Sequence, residues 1–389
     1  MLKKLENQCF WRIDRVTEID VNALLIGKSG VGKSSLINYI YGSEVEKTGT
    51  GEPVTAKGIF EHCKRINEKC ILHVYDTWGL EPDKAEEWNK LIQDELKKRN
   101  VADIREWFHF VIYCINAKSA RIEQFEDEVI KELLKNNNKI IIVFTQVDGV
   151  NESVLNNMTD VLCHLGIEKD NIIRVCSVEK KLIDGKKTVC CGKEELLVRI
   201  QKNFWYSLCE RIPKRIYQNA EKELLEVTKY LNSYVKTQIN VFNVHSNRNF
   251  RRINKFCNDK YNECFKRINQ QSNQWICEAT DYYLAVCNTF TLPMSMAQTE
   301  RIKEIPYRIY FEMDFTDKFA EKLAAILFML IPVINVFVPT VLKELKIDEY
   351  NKQFDVMHQE MLESYQKMCG EFAESLSTVQ LWTEDKRWM

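Results

Sequence analysis

The chain has 389 residues, of which 45% are hydrophobic and 29% charged, room for two or three globular domains. A formal net charge of -1 removes any global electrostatic attraction for nucleic acid, which is not an expected partner. The fourteen cysteines lack paired CxxC spacings with partner histidines, so they argue against a structural zinc site and read as free thiols in a reducing cytosol.

The opening stretch MLKKLENQCFWRIDR has no apolar core and does not read as a secretory signal, which leaves a cytoplasmic location as the expectation. Val21–Ile26 (VNALLI) is a short apolar run that ends in a glycine-rich loop. SSLINYIYG after it has helical spacing. Strand, glycine loop and helix open an α/β nucleotide fold. A Gly/Thr-rich loop (residues 43–57) precedes expected strands at Ile59–Arg65 and Cys70–Asp76. A polar helix is expected over Asp83–Asn100, a buried strand over Phe108–Ile115 and an amphipathic helix over Ile122–Lys135. Lys139–Thr145 (KIIIVFT) reads as a strand, Asn151–Leu165 as a helix and Ile172–Cys176 as a last short strand. The alternation implies a mostly parallel, six-stranded sheet covered by helices on both faces.

Loop or hairpin chemistry follows around Lys180–Gly192. From Lys193 the chain reads as mainly helical, with a break near Asn243–Arg251. Leu224, Val227, Leu231, Val235, Ile239 and Phe242 fall on one helical stripe. The expected division is an N-terminal segment 1–20 packed on the nucleotide domain, a nucleotide domain 21–208 and an all-α domain 209–389. Residues 323–342 carry no charge, and Pro332, Asn335 and Pro339 interrupt them. The segment reads as a buried helix or broken hairpin, or else as a membrane contact that would make the protein peripheral to a bilayer.

Gly27-Lys28-Ser29-Gly30-Val31-Gly32-Lys33-Ser34 fits GxxxxGK[ST] between a strand and a helix. Its backbone N–H groups suit phosphate oxygens, Lys33 suits the β/γ-phosphates and Ser34 suits Mg²⁺, with Ser35 beside it in the first helical turn. Asp76-Thr77-Trp78-Gly79 places an acid for Mg²⁺ at a strand end and a glycine amide for the γ-phosphate. Trp78 is either a hydrophobic plug or packing. Thr55 is the first choice for a threonine that closes on Mg²⁺, with Thr50 and Thr48 as alternatives. Thr145-Gln146-Val147-Asp148 follows a strand, and an aspartate there accepts the N1–H and exocyclic amine of guanine, a pair adenine lacks. Cys176-Ser177-Val178 follows the last strand, where a backbone N–H of Ser177 or Val178 meets guanine O6.

On these loops, GKSGVGKSS, TGEPVT, DTWG, TQVD and CSV in order, Asn22–Ser177 resembles the Era-like and septin-like GTPases of the TRAFAC class. The likeness is to the 50S ribosome-binding GTPase type and its septin, chloroplast-import and immunity-associated relatives, with YDTWGLE and FVIYCINAKSARIEQFE especially similar. It implies GTP and GDP as ligands, Mg²⁺ as cofactor and slow hydrolysis. It does not extend to the helical half, whose protein partner it leaves unnamed. Three positions depart from the pattern. Gln146 stands where lysine is common, Leu80 where many regulatory GTPases have a water-orienting glutamine, and Trp78 where a small residue or proline is usual. Catalytic roles then fall to Lys33, Thr55, Gly79 and Ser29, the last at a position polar in dynamin-type relatives. Arg121 is a candidate finger in cis or across a homodimer of nucleotide domains, or a helix-start surface cation. Two other readings stay open: a membrane-associated GTPase of the dynamin-like or immunity-related kind, and a GTP-binding interaction module with negligible hydrolysis.

Overall fold

The structure is a computed structural model that describes residues 19–41, 52–53, 59–67, 70–77, 85–100, 103–135, 139–179, 187–289 and 339–377. Its packing separates two units. The first runs through Ser207 and takes back residues from Asp281. The second comprises Leu208–Thr280 and the last described helix.

The first unit is built on β1 (Ile19–Ile26), α1 (Lys33–Tyr41), β2 (Glu52–Pro53), β3 (Ile59–Asn67), β4 (Cys70–Thr77), α2 (Ala85–Asn100), β5 (Phe110–Asn116), α3 (Gln124–Lys135), β6 (Ile140–Thr145), α4 (Glu152–His164) and β7 (Ile172–Arg174). The sheet has seven strands in the order β2-β3-β4-β1-β5-β6-β7. Six are those expected. The seventh, β2, is a two-residue edge piece with no sequence signal of its own. β4, β1, β5, β6 and β7 run parallel, while β2–β3 and β3–β4 are antiparallel. β5 and β6 are continuous apolar runs because helices cover both of their faces, and every residue of β6 is buried. α3 turns Val129, Ile130 and Leu133 inward, at helical spacing, onto that sheet. Asn151 caps α4 by accepting the Ser153 N–H, which starts the helix one residue after the expected boundary. Asn22, buried in β1, donates its amide to the carbonyls of Arg105 and Trp107. Its backbone N–H goes to His109 Nδ1. His109 is therefore committed to structure, its other nitrogen meeting the Ile104 carbonyl at 2.9 Å and its ring stacking on Tyr282.

Three long helices continue the chain: α5 (Lys193–Gln238), α6 (Asn247–Thr289) and α7 (Pro339–Ser377). The core of the second unit interleaves Leu224, Leu231 and Val235 of α5 with Ile253, Tyr261 and Ile268 of α6 and Tyr350, Phe354 and Met361 of α7. Each such buried side chain contributes about 1.5–3 kcal/mol relative to exposure. Inside it the Thr228 and Tyr261 hydroxyls pair at 3.1 Å, and Tyr234 stacks on Phe256. The expected stripe holds through Ile239 and then fails, since Phe242 is 95% exposed. The reason is local. Asn240 Oδ1 accepts the N–H groups of Phe242 and Asn243, and the Asn243 amide donates to the Gln238 carbonyl. These bonds close a turn and end α5 before the stripe reaches Phe242, so the break lies N-terminal to the expected one. All cysteines with described side chains are free thiols, and Cys257 and Cys264 are part of the second unit's core. The apolar segment 323–342 falls largely outside the described residues; α7 begins at its end. Among the described residues no helix is long and apolar enough to cross a membrane.

Candidate nucleotide site

The C-terminal ends of β1, β4, β5 and β6 lie side by side in the sheet, and the loops leaving them assemble the site. After β1 the chain must pass close to β5. At Gly27, with φ of +150°, a Cβ would stand 2.5 Å from the Cys114 carbonyl oxygen, so only glycine fits. The loop crest, Ser29 and Gly30, is exposed, while Val31 is buried beneath it. Gly32 starts the helix, its carbonyl accepting the Leu36 N–H at 2.9 Å. Ser34 and Ser35 are half-buried in the first turn.

Lys33 is 8% exposed and its Nζ is folded onto the loop, donating to the carbonyls of Gly27 (2.9 Å) and Lys28 (3.1 Å). It also lies 3.8 Å from Asp76 Oδ1. That oxygen is buried with no hydrogen-bond partner among the described residues. Burial raises the Asp76 pKa, and the Lys33 and His62 charges offset part of the rise. A buried carboxylate oxygen without a donor, beside a phosphate-type lysine, suits a hydrated divalent cation. Asp76 and Ser34 are the described residues that would hold Mg²⁺. Next to Asp76, Thr77 anchors β4 by donating its hydroxyl to the Leu25 carbonyl at 3.1 Å. Thr55, Trp78, Gly79 and Leu80 lie outside the described residues.

Thr145, at the end of β6, is 1% exposed. Its hydroxyl donates to the Val31 carbonyl at 2.5 Å and lies 3.3 Å from that of Ile115. It thereby ties the base loop to the phosphate loop rather than offering itself to a ligand. Gln146 follows in the left-handed region, φ +55°. The Asp148 side chain is 10% exposed; its Oδ2 accepts from Lys118 Nζ at 2.9 Å, and Cys176 Sγ lies 3.8 Å from its Oδ1. Lys118 comes from the 3-10 turn Ala117–Ser119 at the end of β5, where Asn116 caps the Lys118 N–H and Ala120 adopts φ +56°. The third part of the base end, Cys176–Val178, is held by a two-bond bridge between Cys176 and Cys191 (3.2 and 3.1 Å). Gly192 allows that crossing, because a Cβ there would lie 2.0 Å from the Arg174 carbonyl oxygen. Ser177 is half-buried and Val178 45% exposed.

Lys118 has no place among the motif residues. Its signal was an Asx-capped turn closing the strand beside the one that carries Asp148. Lys28 also has a second role, pairing with Glu123 at 2.5 Å with its ammonium over the Phe125 ring. Arg121 is exposed, and its carbonyl accepts the Ser119 hydroxyl.

Residues 22–146 match the family described as 50S ribosome-binding GTPase. This segment is a P-loop GTPase domain. The domain is 28% identical over 146 residues to GTPase Der from Buchnera aphidicola, an alignment covering 38% of this chain and 30% of the relative. It is 26% identical over 175 residues to a GTP-binding protein, EngB, from Mycoplasmopsis pulmonis, covering 44% of this chain and 89% of the relative. Among solved structures, Toc33 from Arabidopsis thaliana with Mg²⁺ and GMPPNP is similar at 15% identity and a TM-score of 0.34 over 52% of this chain and 92% of that one, too slight a likeness to carry an inference. This chain thus spans under a third of the length of the Der relatives it matches.

Proposed function

We propose that the chain binds GTP with Mg²⁺ and hydrolyses it to GDP and phosphate, and that the helical half responds to which nucleotide is bound. One observation carries the reading. Lys33 with Asp76, whose Oδ1 has no hydrogen-bond partner among the described residues, at one end, and Asp148 with the Cys176 loop at the other, stand along one edge of strand ends in one sheet. That is the layout a nucleoside triphosphate needs, with phosphates at a helix N-terminus and a guanine-selective carboxylate beyond. Lys33 would exchange the carbonyls of Gly27 and Lys28 for β/γ-phosphate oxygens, and the P-loop amides from Ser29 to Ser35 would complete the cradle. Bound Mg²⁺ would supply charge neutralisation at those oxygens. Asp148 would accept the guanine N1–H and amine, Gln146 would lay its stem on the base, and an N–H of Ser177 or Val178 would meet O6. Thr55 and Gly79 would report the γ-phosphate. Ser29, exposed on the loop crest, would act on the reaction, and Arg121, exposed beyond β5, would act in cis or across a pair of domains or else is a helix-start surface cation.

A division at about residue 208, a cytoplasmic location, and a lipid or protein contact through 323–342 belong to the same proposal. Leu80 in place of a water-orienting glutamine favours a slow intrinsic rate, and supports the second reading of a GTP-held interaction module. GTP turnover across a range of protein concentrations, with Lys33→Ala as the blank, separates the two. A rate per molecule that climbs with concentration and vanishes in the variant supports a self-activating GTPase. Binding without turnover at any concentration would sink the hydrolytic reading and leave the module.

A further inference from the structure

On the antiparallel pair β3–β4, three donor atoms converge. Glu61 and Cys63 are two residues apart on β3 and share a face of the sheet. His73 on β4 is the register partner of Cys63. Cys63 Sγ lies 3.4 Å from His73 Nδ1 and 3.5 Å from Glu61 Oε1, and the last two atoms are 2.5 Å apart. The other imidazole nitrogen, Nε2, lies 2.9 Å from Asp20 Oδ1 on β1. Among the described residues this is the one group of His, Cys and acidic side chains with such spacing.

We propose that Glu61, Cys63 and His73 bind a thiophilic divalent cation of the zinc type, with Asp20 as the residue that positions the imidazole. The donor set is sulfur, nitrogen and oxygen, the mixture zinc takes and that magnesium and calcium avoid. Tetrahedral zinc with Zn–S of about 2.3 Å and Zn–N of about 2.0 Å sets its ligand atoms roughly 3.5 Å apart. Two of the three edges have that length. The third is short, and Glu61, only partly buried at 27% exposure, opens it by turning its carboxylate. With the ion bound, Asp20 would accept from Nε2–H and leave the Nδ1 lone pair for the metal, the carboxylate–histidine–metal arrangement. An unprotonated Nδ1 and the Glu61 carboxylate share only the weak Cys63 S–H donor, and a divalent ion would supply stronger positive charge there as the thiol releases its proton to solvent. Cys63 is exposed, so an ion has a way in and a fourth position for water. The competing state is an imidazolium between two carboxylates, with Cys63 a bystander.

The site would staple β3 to β4. Asp76, one residue before the end of β4, is the register partner of Phe60, three pairs along the ladder from Cys63 and His73. The bound ion therefore stiffens the ribbon that carries the magnesium-side carboxylate, yet its binding does not depend on the nucleotide reading.

Cobalt(II) is the probe, titrated into the chelator-stripped full chain. One equivalent should give the sulfur-to-cobalt charge-transfer absorption and the d–d bands of a tetrahedral site, both discharged by zinc. Cys63→Ser should abolish the charge-transfer band while the protein still unfolds cooperatively, since the side chain is on the surface. Asp20→Asn should keep the band and weaken affinity about 10-fold or more. No bands in the unmodified chain, or bands unchanged in Cys63→Ser, would overturn the site. Absent bands together with a His73 ring that NMR shows taking up a proton between Glu61 and Asp20 would assign the imidazolium state instead.

Discussion

The two ends of the nucleotide site are built by different means. The phosphate end is backbone. A single contiguous loop is fixed by Gly27 against the Cys114 carbonyl and by the Thr145 hydroxyl on Val31, and its charges, Lys33 and Asp76, are largely withdrawn from water. The base end adds side chains from separate stretches. Lys118 and Asp148 meet from the ends of neighbouring strands, the Cys176–Cys191 backbone bridge holds the loop beside them, and the Lys118 side chain is 40% exposed. A loop of amides is insensitive to side-chain exchange but allows no Cβ where glycine is required. A set of side chains tolerates exchange, because one donor can replace another from a neighbouring strand. Gln146 stands where lysine is common, and Lys118 reaches the Asp148 carboxylate from the end of the neighbouring strand.

If that contrast holds, substitutions at the phosphate end should be the most damaging. Lys33→Ala removes the phosphate cation and also the main positive charge next to Asp76. Turnover should fall at least ~100-fold, the scale of one lost electrostatic donor in a desolvated site. Titration calorimetry should show weaker GTP binding alongside it. Retained turnover would break the comparison at its strongest point.

Asp148→Asn tests the base end. The amide presents a donor where a carboxylate oxygen accepted, so one hydrogen bond becomes a clash of donors. GTP affinity should drop by about 10–100-fold, from 1–3 kcal/mol per mismatched bond, and xanthosine triphosphate should gain. A variant that still prefers GTP in competition would mean that Asp148 does not read the base.

What could be read in the sequence follows the same division. The P-loop was legible because its residues are consecutive and each has a backbone reason to be there. β5 and β6 were legible to within two residues because burial on both faces demands unbroken apolar runs. Lys118 was not, since its partner is 30 residues away and the two meet only because β5 and β6 are neighbours. The Glu61–Cys63–His73 cluster was hidden for a related reason. Cysteine spacing along the chain argues against zinc, whereas hairpin register sets the donors face to face. Phe242 shows the opposite error, a periodicity extrapolated past a helix end that two asparagine side chains determine.

Thr145→Val joins the two ends in one experiment. The hydroxyl holds the Val31 carbonyl, which the valine would leave without a donor inside the fold. An unsatisfied buried carbonyl costs about 1–3 kcal/mol, so the denaturant midpoint should fall with an unchanged slope. GDP should bind more weakly even though the position is at the base loop and the loosened segment is at the phosphates. An effect on stability alone, with GDP affinity untouched, would mean the tie holds the sheet together without shaping the phosphate loop.

The smallest effect expected is at Lys118. Its pair with Asp148 is part-exposed and screened, a class worth about 0–1 kcal/mol. Lys118→Met keeps most of the stem and removes the charge. A carboxylate has about four lone-pair sites, and guanine's two N–H groups need one on each oxygen. Lys118, donating to Oδ2, therefore has room to remain when the base arrives. On that geometry the lysine aligns Asp148, and the variant should lose roughly 2- to 5-fold in GTP affinity, less in high salt than in low. Were Lys118 instead a competitor that guanine must displace, the same variant would bind GTP more tightly, with the gain largest at low salt. The sign of a small change in Kd, measured at two ionic strengths, thus decides whether the base end has replaced its missing lysine or merely blocks its own carboxylate until the nucleotide arrives.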